Sequence, residues 1–204
     1  MINEAFFNIL RSRRSVRSFK AEALPKDLIY KLIEAACWAP SAGNRQNWQF
    51  TVITSESLKQ EMAQAVSEEW QRLMNRPDMA VIAETLREYS KYFNWFSAAP
   101  VLLLLSAKSP ESFLEQLLDT AAIDVAGTKI SVAMAAQNLM LAAHAVGVAS
   151  CCLTAPLVAE QALRKLLALH SRQVVVCLIA LGYTDQEPSQ PVRKAPDLVT
   201  RFIE

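Results

Sequence analysis

The run PVLLLLS, residues 100–106, is apolar from Pro100 to Leu105 with no polar alternation. A strand of that kind has no solvent face and has to be covered on both sides. Three other segments read as extended. QVVVCLIALGY (173–183) is the strongest, WQFTVIT (48–54) alternates and carries Thr and Val, and VASCCL (148–153) is short. The helical segments lie between them. Asn3 can cap a first helix whose apolar side is Phe6, Phe7, Ile9 and Leu10. Pro25 opens a second, with Leu28, Leu32, Ile33 and Ala36 at helical spacing, and this one breaks near Pro40. Residues 56–75 and 79–97 are predicted helical with a break near Pro77, residues 120–146 form a long core helix ending at Gly147, and a further helix starts at Pro156. From Thr184 the tail has three prolines and no helical period until PDLVTRFI. Helices and strands mix without a regular βαβ alternation, so the predicted class is α+β, in one domain spanning 1–204.

Charge and cysteine use narrow the setting. The 204 residues carry a formal net charge of +1, which gives no global field for nucleic acid or a membrane surface. Residues 130–150 are long and apolar, but Gln137, Asn138 and His144 interrupt them, which fits a buried helix and not a membrane span. Residues 1–20 are rich in Arg and Ser with Glu4 as their one acid, a composition that resembles a transit peptide. No cleavage-like junction follows, and the pattern runs directly into the second helix. Cys37, Cys151, Cys152 and Cys177 include no C-x-x-C pair and sit in apolar stretches. They read as reduced thiols of a cytoplasmic protein.

Several chemistries are closed to this chain. Its four glycines, Gly43, Gly127, Gly147 and Gly182, lie far apart, whereas a glycine-rich phosphate loop needs several close together. Two histidines, neither near a cysteine pair, do not make a tetrahedral zinc site. There is no G-x-S-x-G elbow, and His144 reads as a satisfied core histidine. An enzyme built on this sequence would draw its difficult chemistry from a cofactor, with side-chain cations holding any phosphate. RSRRSVRSFK (11–20) puts four arginines within seven residues, and guanidinium donates bidentate hydrogen bonds to phosphate oxygens. The same residues also suit a solvated basic helix end, where cations stabilise a helix C-terminus.

RRSVRSF (13–19), APSAGNRQNWQF (39–50), AAQNLMLAAHAVGVASC (135–151) and ALGYTDQEPSQPVRK (180–194) occur in the order seen in the FMN-dependent nitroreductase family, so the sequence resembles that family over nearly its whole length. The resemblance implies a central, mostly antiparallel sheet flanked by helices. It also implies an intertwined homodimer with FMN at the subunit interface and NAD(P)H as electron donor. Carried over by position, Arg13, Arg14 and Ser15 match the contacts to the FMN phosphate and ribityl chain. Arg17 matches a basic residue near flavin N1 and O2, where two-electron reduction leaves negative charge that a fixed cation stabilises. Ser41, Ala42 and Asn44 match a loop reaching the cofactor from the partner subunit, and Gln46 belongs to the same motif. Thr154 and Ala155 match a segment whose backbone N–H groups approach flavin N5. Arg193 and Lys194 match a basic pair completing the phosphate site. Two departures stand out. Asn47 occupies a position that is usually proline, which frees a backbone N–H. Ala155 stands where glycine is common, which requires a negative φ there.

The implied activity is electron transfer from NAD(P)H to small electrophilic acceptors such as nitroaromatics or quinones by a ping-pong mechanism. Relatives of the same fold that remove halogen reductively or break down flavin keep a second reaction open, and a low-turnover flavin-binding sensor or storage protein is a third reading. Residues 67–97 are expected to form a variable helical cap. Its aromatic residues Trp70, Tyr89, Tyr92, Phe93, Trp95 and Phe96 suit ordinary core packing better than substrate stacking. Residues 184–204 are expected to form an extended C-terminal arm on the partner, anchored by Leu198, Val199, Phe202 and Ile203.

Overall fold

The apolar run at 100–106 takes an inner place in a four-stranded sheet. The computed structural model describes residues 3–79, 94–108 and 121–203. Within them, β1 (Trp48–Ile53), β2 (Val101–Lys108), β3 (Ala149–Leu153) and β4 (Gln173–Gly182) are ordered β1-β2-β4-β3, and each neighbouring pair is antiparallel. Five α-helices are described: α1 (Glu4–Ser12), α2 (Lys26–Cys37), α3 (Glu56–Met74), α4 (Ala121–Ala145) and α5 (Glu160–Leu166).

The pleat of β2 divides the core in two. Val101, Leu103, Leu105 and Ala107 pack with Ile29, Leu32 and Ala36 of α2 and with Val132, Ala135, Leu139 and Ala143 of α4. Leu102 and Leu104 point the other way, into Met62, Ala63 and Val66 of α3, Phe96, and Leu163 of α5. Burying each large apolar side chain contributes about 1.5–3 kcal/mol, which is why an unalternated strand has to sit between two helical layers. Asn138 ties the layer on one face together, its Nδ2 donating to the Ala35 carbonyl at 3.4 Å.

Several element boundaries follow the expectation and others move. Asn3 caps α1, with its Oδ1 accepting from the Phe6 N–H at 3.2 Å. Gly147, at φ 77°, ends α4: the Val148 N–H reaches the Ala143 carbonyl at 2.8 Å and the Gly147 N–H reaches His144 at 3.2 Å. The helix expected from Pro156 begins instead as a 3-10 turn, Ala155–Ala159, with Leu157 N–H on the Thr154 carbonyl at 2.9 Å; the α-helix starts only at Glu160. The tail likewise holds a 3-10 turn at Pro196–Val199. In the expected helix 79–97, residues 80–93 lie outside the described residues, and Trp95–Ala98 is a 3-10 turn. Trp70, Trp95 and Phe96 belong to the core on the α3 side, as ordinary packing predicts, whereas Tyr89, Tyr92 and Phe93 lie outside the described residues.

Among the described residues, the apolar side of α1 finds little cover. None of its residues is buried, and Phe6 is half exposed. α4 is buried on its core side, yet Ile130 and Met134 on its other side are 55% and 42% exposed. Leu198, Val199, Phe202 and Ile203 of the tail are exposed as well. No helix among the described residues is long and apolar enough to cross a membrane.

Candidate functional site

The arginine segment leaves α1 in extended form and lies along the free edge of β3. Arg13 is the C-cap of α1, its N–H on the Ile9 carbonyl at 3.1 Å. Ser15 then makes a parallel bridge with Ser150, and the Val16 N–H donates to the Ser150 carbonyl at 3.1 Å. The chain after β4 holds the segment from the other side. Lys20 N–H reaches the Tyr183 carbonyl at 2.8 Å, Thr184 Oγ1 donates to the Ser18 carbonyl at 2.7 Å, and Arg17 N–H reaches Gln186 Oε1 at 3.4 Å.

Two adjoining concavities result. One, of about 390 Å³, is lined by Arg13, Arg14, Ser15, Arg17 and Arg193 together with Gln186, Pro188, Ser189 and Pro191. It therefore gathers four guanidinium groups and no carboxylate. Arg13, which lines it, has a buried Nη1 with no hydrogen-bond partner. A buried charged donor without an acceptor is costly, and a phosphate is the kind of group that satisfies it. Lys194 is exposed and does not line the cavity. Arg11 and Lys20 stay outside the cluster, paired with Glu4 at 3.5 Å and Asp185 at 2.7 Å.

The second concavity, of about 500 Å³, shares Arg13 and Arg14 and adds Ser12, His144, Thr184 and Glu187. His144 is satisfied, as expected, but it stands at this cavity wall and not in the core. Ser12 Oγ donates to the Asn8 carbonyl at 2.6 Å and so accepts from His144 Nε2 at 2.7 Å. Burial, and then the charges of Arg13 and Arg14, hold the His144 pKa below its ordinary value.

The loop 41–47 is anchored elsewhere. Ala42 N–H donates to Ser131 Oγ at 3.2 Å, and Ser131 Oγ donates to the Gly127 carbonyl at 2.8 Å. Ser41 Oγ accepts from the Gln46 N–H at 3.1 Å, and Gln46 Nε2 donates to Asn44 Oδ1 at 3.0 Å. Gly43, Asn44 and Gln46 all have left-handed φ, at 59°, 53° and 46°. Asn47 replaces the stiffness of a proline with a tether, since its Nδ2 donates to the Lys108 carbonyl at 3.0 Å and to Thr128 Oγ1 at 3.4 Å. Ser131 and His144 are separated by about 20 Å along the α4 axis. One chain therefore does not bring Ser41, Ala42, Asn44 and Gln46 to its own arginine cluster.

Thr154 and Ala155 continue from β3, which carries the bridge to Ser15. Thr154 precedes the 3-10 turn, and Ala155 is not among the residues of positive φ, so it meets the condition set by the missing glycine.

The sequence signature of the nitroreductase family matches residues 10–183, from the arginine segment to the end of β4. The chain belongs to the nitroreductase family. Iodotyrosine deiodinase 1 of Mus musculus is 27% identical over 98% of this chain and 70% of its own length. A BluB-like flavoprotein from Clostridium difficile 630 superposes with a TM-score of 0.83 at 27% identity, covering 97% of this chain and 98% of its own. A nitroreductase with bound FMN from Desulfitobacterium hafniense DCB-2 shares the fold at a TM-score of 0.77 and 20% identity, over the whole of both chains. The nitroreductase-like α+β fold expected from the motifs is the fold observed.

Sequence reasoning missed Gln186 and the Ser12–His144 pair beside the cluster in this family member. The segment Arg13-Arg14-Ser15 was visible and the family motifs joined Arg193 to it, but its contact with Gln186, Pro188, Ser189 and Pro191 depends on tertiary placement that no local pattern records.

Proposed function

We propose that the protein is an FMN-dependent oxidoreductase that passes electrons from NAD(P)H to small electrophilic acceptors, such as nitroaromatics or quinones, by a ping-pong route. The observation that carries this reading is the carboxylate-free concavity with the partnerless Arg13 Nη1. It fits a phosphate monoester held by side-chain cations, as a chain without a glycine loop requires. Arg13, Arg14, Ser15 and Arg193 would hold the phosphate and ribityl end, with Lys194 next to them in sequence. Arg17 would face the pyrimidine edge of the flavin, where its fixed charge favours the reduced cofactor. Thr154 and Ala155 would border the ring. Bound FMN supplies the two-electron chemistry, so these residues bind, orient and tune without acting as acid or base.

The assembly proposed is a homodimer. Loop 41–46 would then serve the neighbour's site, as its distance from its own cluster supports. The exposed apolar residues of α1, α4 and the tail's end would supply the contact. The four free thiols support a cytoplasmic location.

Steady-state oxidation of NAD(P)H by FMN-loaded protein, with and without a quinone, tests the activity. Rapid quinone-dependent turnover is expected, and its absence with a panel of quinones and nitroaromatics would overturn it. The likeness to the mouse deiodinase supports a second reading, reductive dehalogenation, in which reduced protein releases halide from a halogenated phenol while quinones turn over poorly.

A further inference from the structure

His144 lines the second concavity beside Arg13 and Arg14, the two guanidinium groups that also line the first. Its Nε2 donates to Ser12 Oγ at 2.7 Å, because the Ser12 proton is committed to the Asn8 carbonyl at 2.6 Å. The neutral ring therefore carries its one proton on Nε2 and leaves Nδ1 bare. A second proton can be added at Nδ1 while the Ser12 contact stays in place. This ring, at the junction of α1 and α4, can change its charge without losing its tether.

The groups around it set the direction of that change. From α1 it faces Arg13 and Arg14, whereas Arg11 is taken up by Glu4. From the chain after β4 it faces Glu187, the one carboxylate among the described residues of this wall; Asp185 is paired with Lys20. Gly147, Val148, Ala149 and Ser150 complete the wall and carry no charge. Burial, and then repulsion from Arg13 and Arg14, hold the ring neutral. A bound ligand does not relieve the burial. A phosphate dianion on Arg13 and Arg14 does cancel their repulsion.

We propose that His144 ties proton uptake to the binding of a phosphate monoester at the arginine segment: the anion draws a proton onto Nδ1, and the imidazolium becomes a fifth cation beside the four guanidinium groups. The inference rests on the phosphate role proposed for that segment. The proton comes from solvent and returns to it on release, and no bond of the ligand changes. Because the bound state holds this proton more tightly than the free state, His144 strengthens binding as pH falls and adds nothing once the ring is neutral in both states.

FMN dissociation constants of the wild type and His144→Gln, measured by fluorescence quenching from about pH 5 to about pH 8, test this. Glutamine keeps an N–H for Ser12 and cannot take the proton. The FMN phosphate itself titrates near about pH 6, and the ratio of the two constants removes that common contribution. The ratio, variant over wild type, should be near one at about pH 8 and reach about three- to ten-fold at the acid end, the size of a partly screened charge interaction. With riboflavin, which lacks the phosphate, it should stay flat. A flat ratio with FMN, or a riboflavin ratio that rises in the same way, overturns the proposal. Arg13→Met separates it from the reading beneath it. If that change weakens FMN binding while the His144→Gln ratio stays flat, the phosphate role stands and the proton link falls; if FMN affinity ignores Arg13→Met, both fall. Should the glutamine variant not fold, imidazole NMR of the wild type decides. The chain has two histidines, and His170 lies beyond the far end of β4, its N–H on Gln173 Oε1 at 2.7 Å, so it serves as the internal control. His144 should titrate at higher pH with FMN than without, and a titration unmoved by FMN overturns the proposal.

Discussion

Replacing Arg13 by methionine deletes a guanidinium and keeps an unbranched apolar stem. The structure gives this change opposite effects on two measurable quantities. Without a ligand, Nη1 of Arg13 is buried and partnerless, among Arg14, Arg17 and Arg193. An unsatisfied buried donor costs about 1–3 kcal/mol. Arg13→Met should therefore leave the flavin-free fold as stable as the parent or more so, by up to that amount. If the same nitrogen meets the FMN phosphate, the variant loses a charge-assisted hydrogen bond worth about 1.5–3 kcal/mol, or roughly 10- to 150-fold in Kd. Urea unfolding of flavin-free protein and quenching of FMN fluorescence on titration measure the two effects separately. Unchanged FMN affinity would refute the phosphate role. A flavin-free variant that unfolds at clearly lower urea would refute the claim that the side chain is unsatisfied without ligand.

At saturating FMN, Arg17→Ala should lower the flavin's reduction potential by about 20 mV for each kcal/mol of lost interaction, while Arg13→Met leaves it nearly unchanged; a redox titration showing the reverse would exchange the two assignments. Gly182→Ala would place a Cβ 2.7 Å from Pro100 Cδ and 3.0 Å from Phe19 Cδ1, so it should cost about 1–3 kcal/mol, seen as a lower urea midpoint at unchanged slope. His144 has a depressed folded pKa, so below its ordinary value of about 6.5 the unfolded chain binds the proton more readily. Its stabilising contribution is present above that pH and is lost as pH falls through the window beneath it. FMN phosphate should offset Arg13 and Arg14 and raise the His144 pKa in an NMR titration; no change on FMN binding would place the phosphate away from this end of the cluster.

The elements that were legible in the sequence were those set by local physics. PVLLLLS had to be an inner strand because it lacks a polar face, Asn3 and Gly147 mark helix ends by their own backbone chemistry, and Ala155 needed only a negative φ. Pro156 misled because a proline at a helix start also suits a 3-10 turn, and which one forms depends on packing against α3. The expected arm, residues 184–204, starts with contacts inside its own chain. Residues 183–186 hydrogen-bond to residues 17–20 of the same chain through Tyr183, Thr184 and Gln186, whereas Val192, Leu198, Val199, Phe202 and Ile203 are exposed. Arg13 and Arg193 stand 180 positions apart, and no periodicity joins them; the family motifs did. Asn47 showed in the sequence as a lost proline, whereas its gained amide tether to Lys108 and Thr128 needed the fold.

The most direct test of FMN at the arginine cluster is the flavin content of the protein itself. Release any chromophore from purified, FMN-reconstituted protein by heat, and identify and quantify it by chromatography. The account predicts non-covalent FMN at about one per subunit, falling sharply in Arg13→Met at sub-saturating cofactor. FAD as the sole flavin, or no flavin retained after reconstitution, would contradict it.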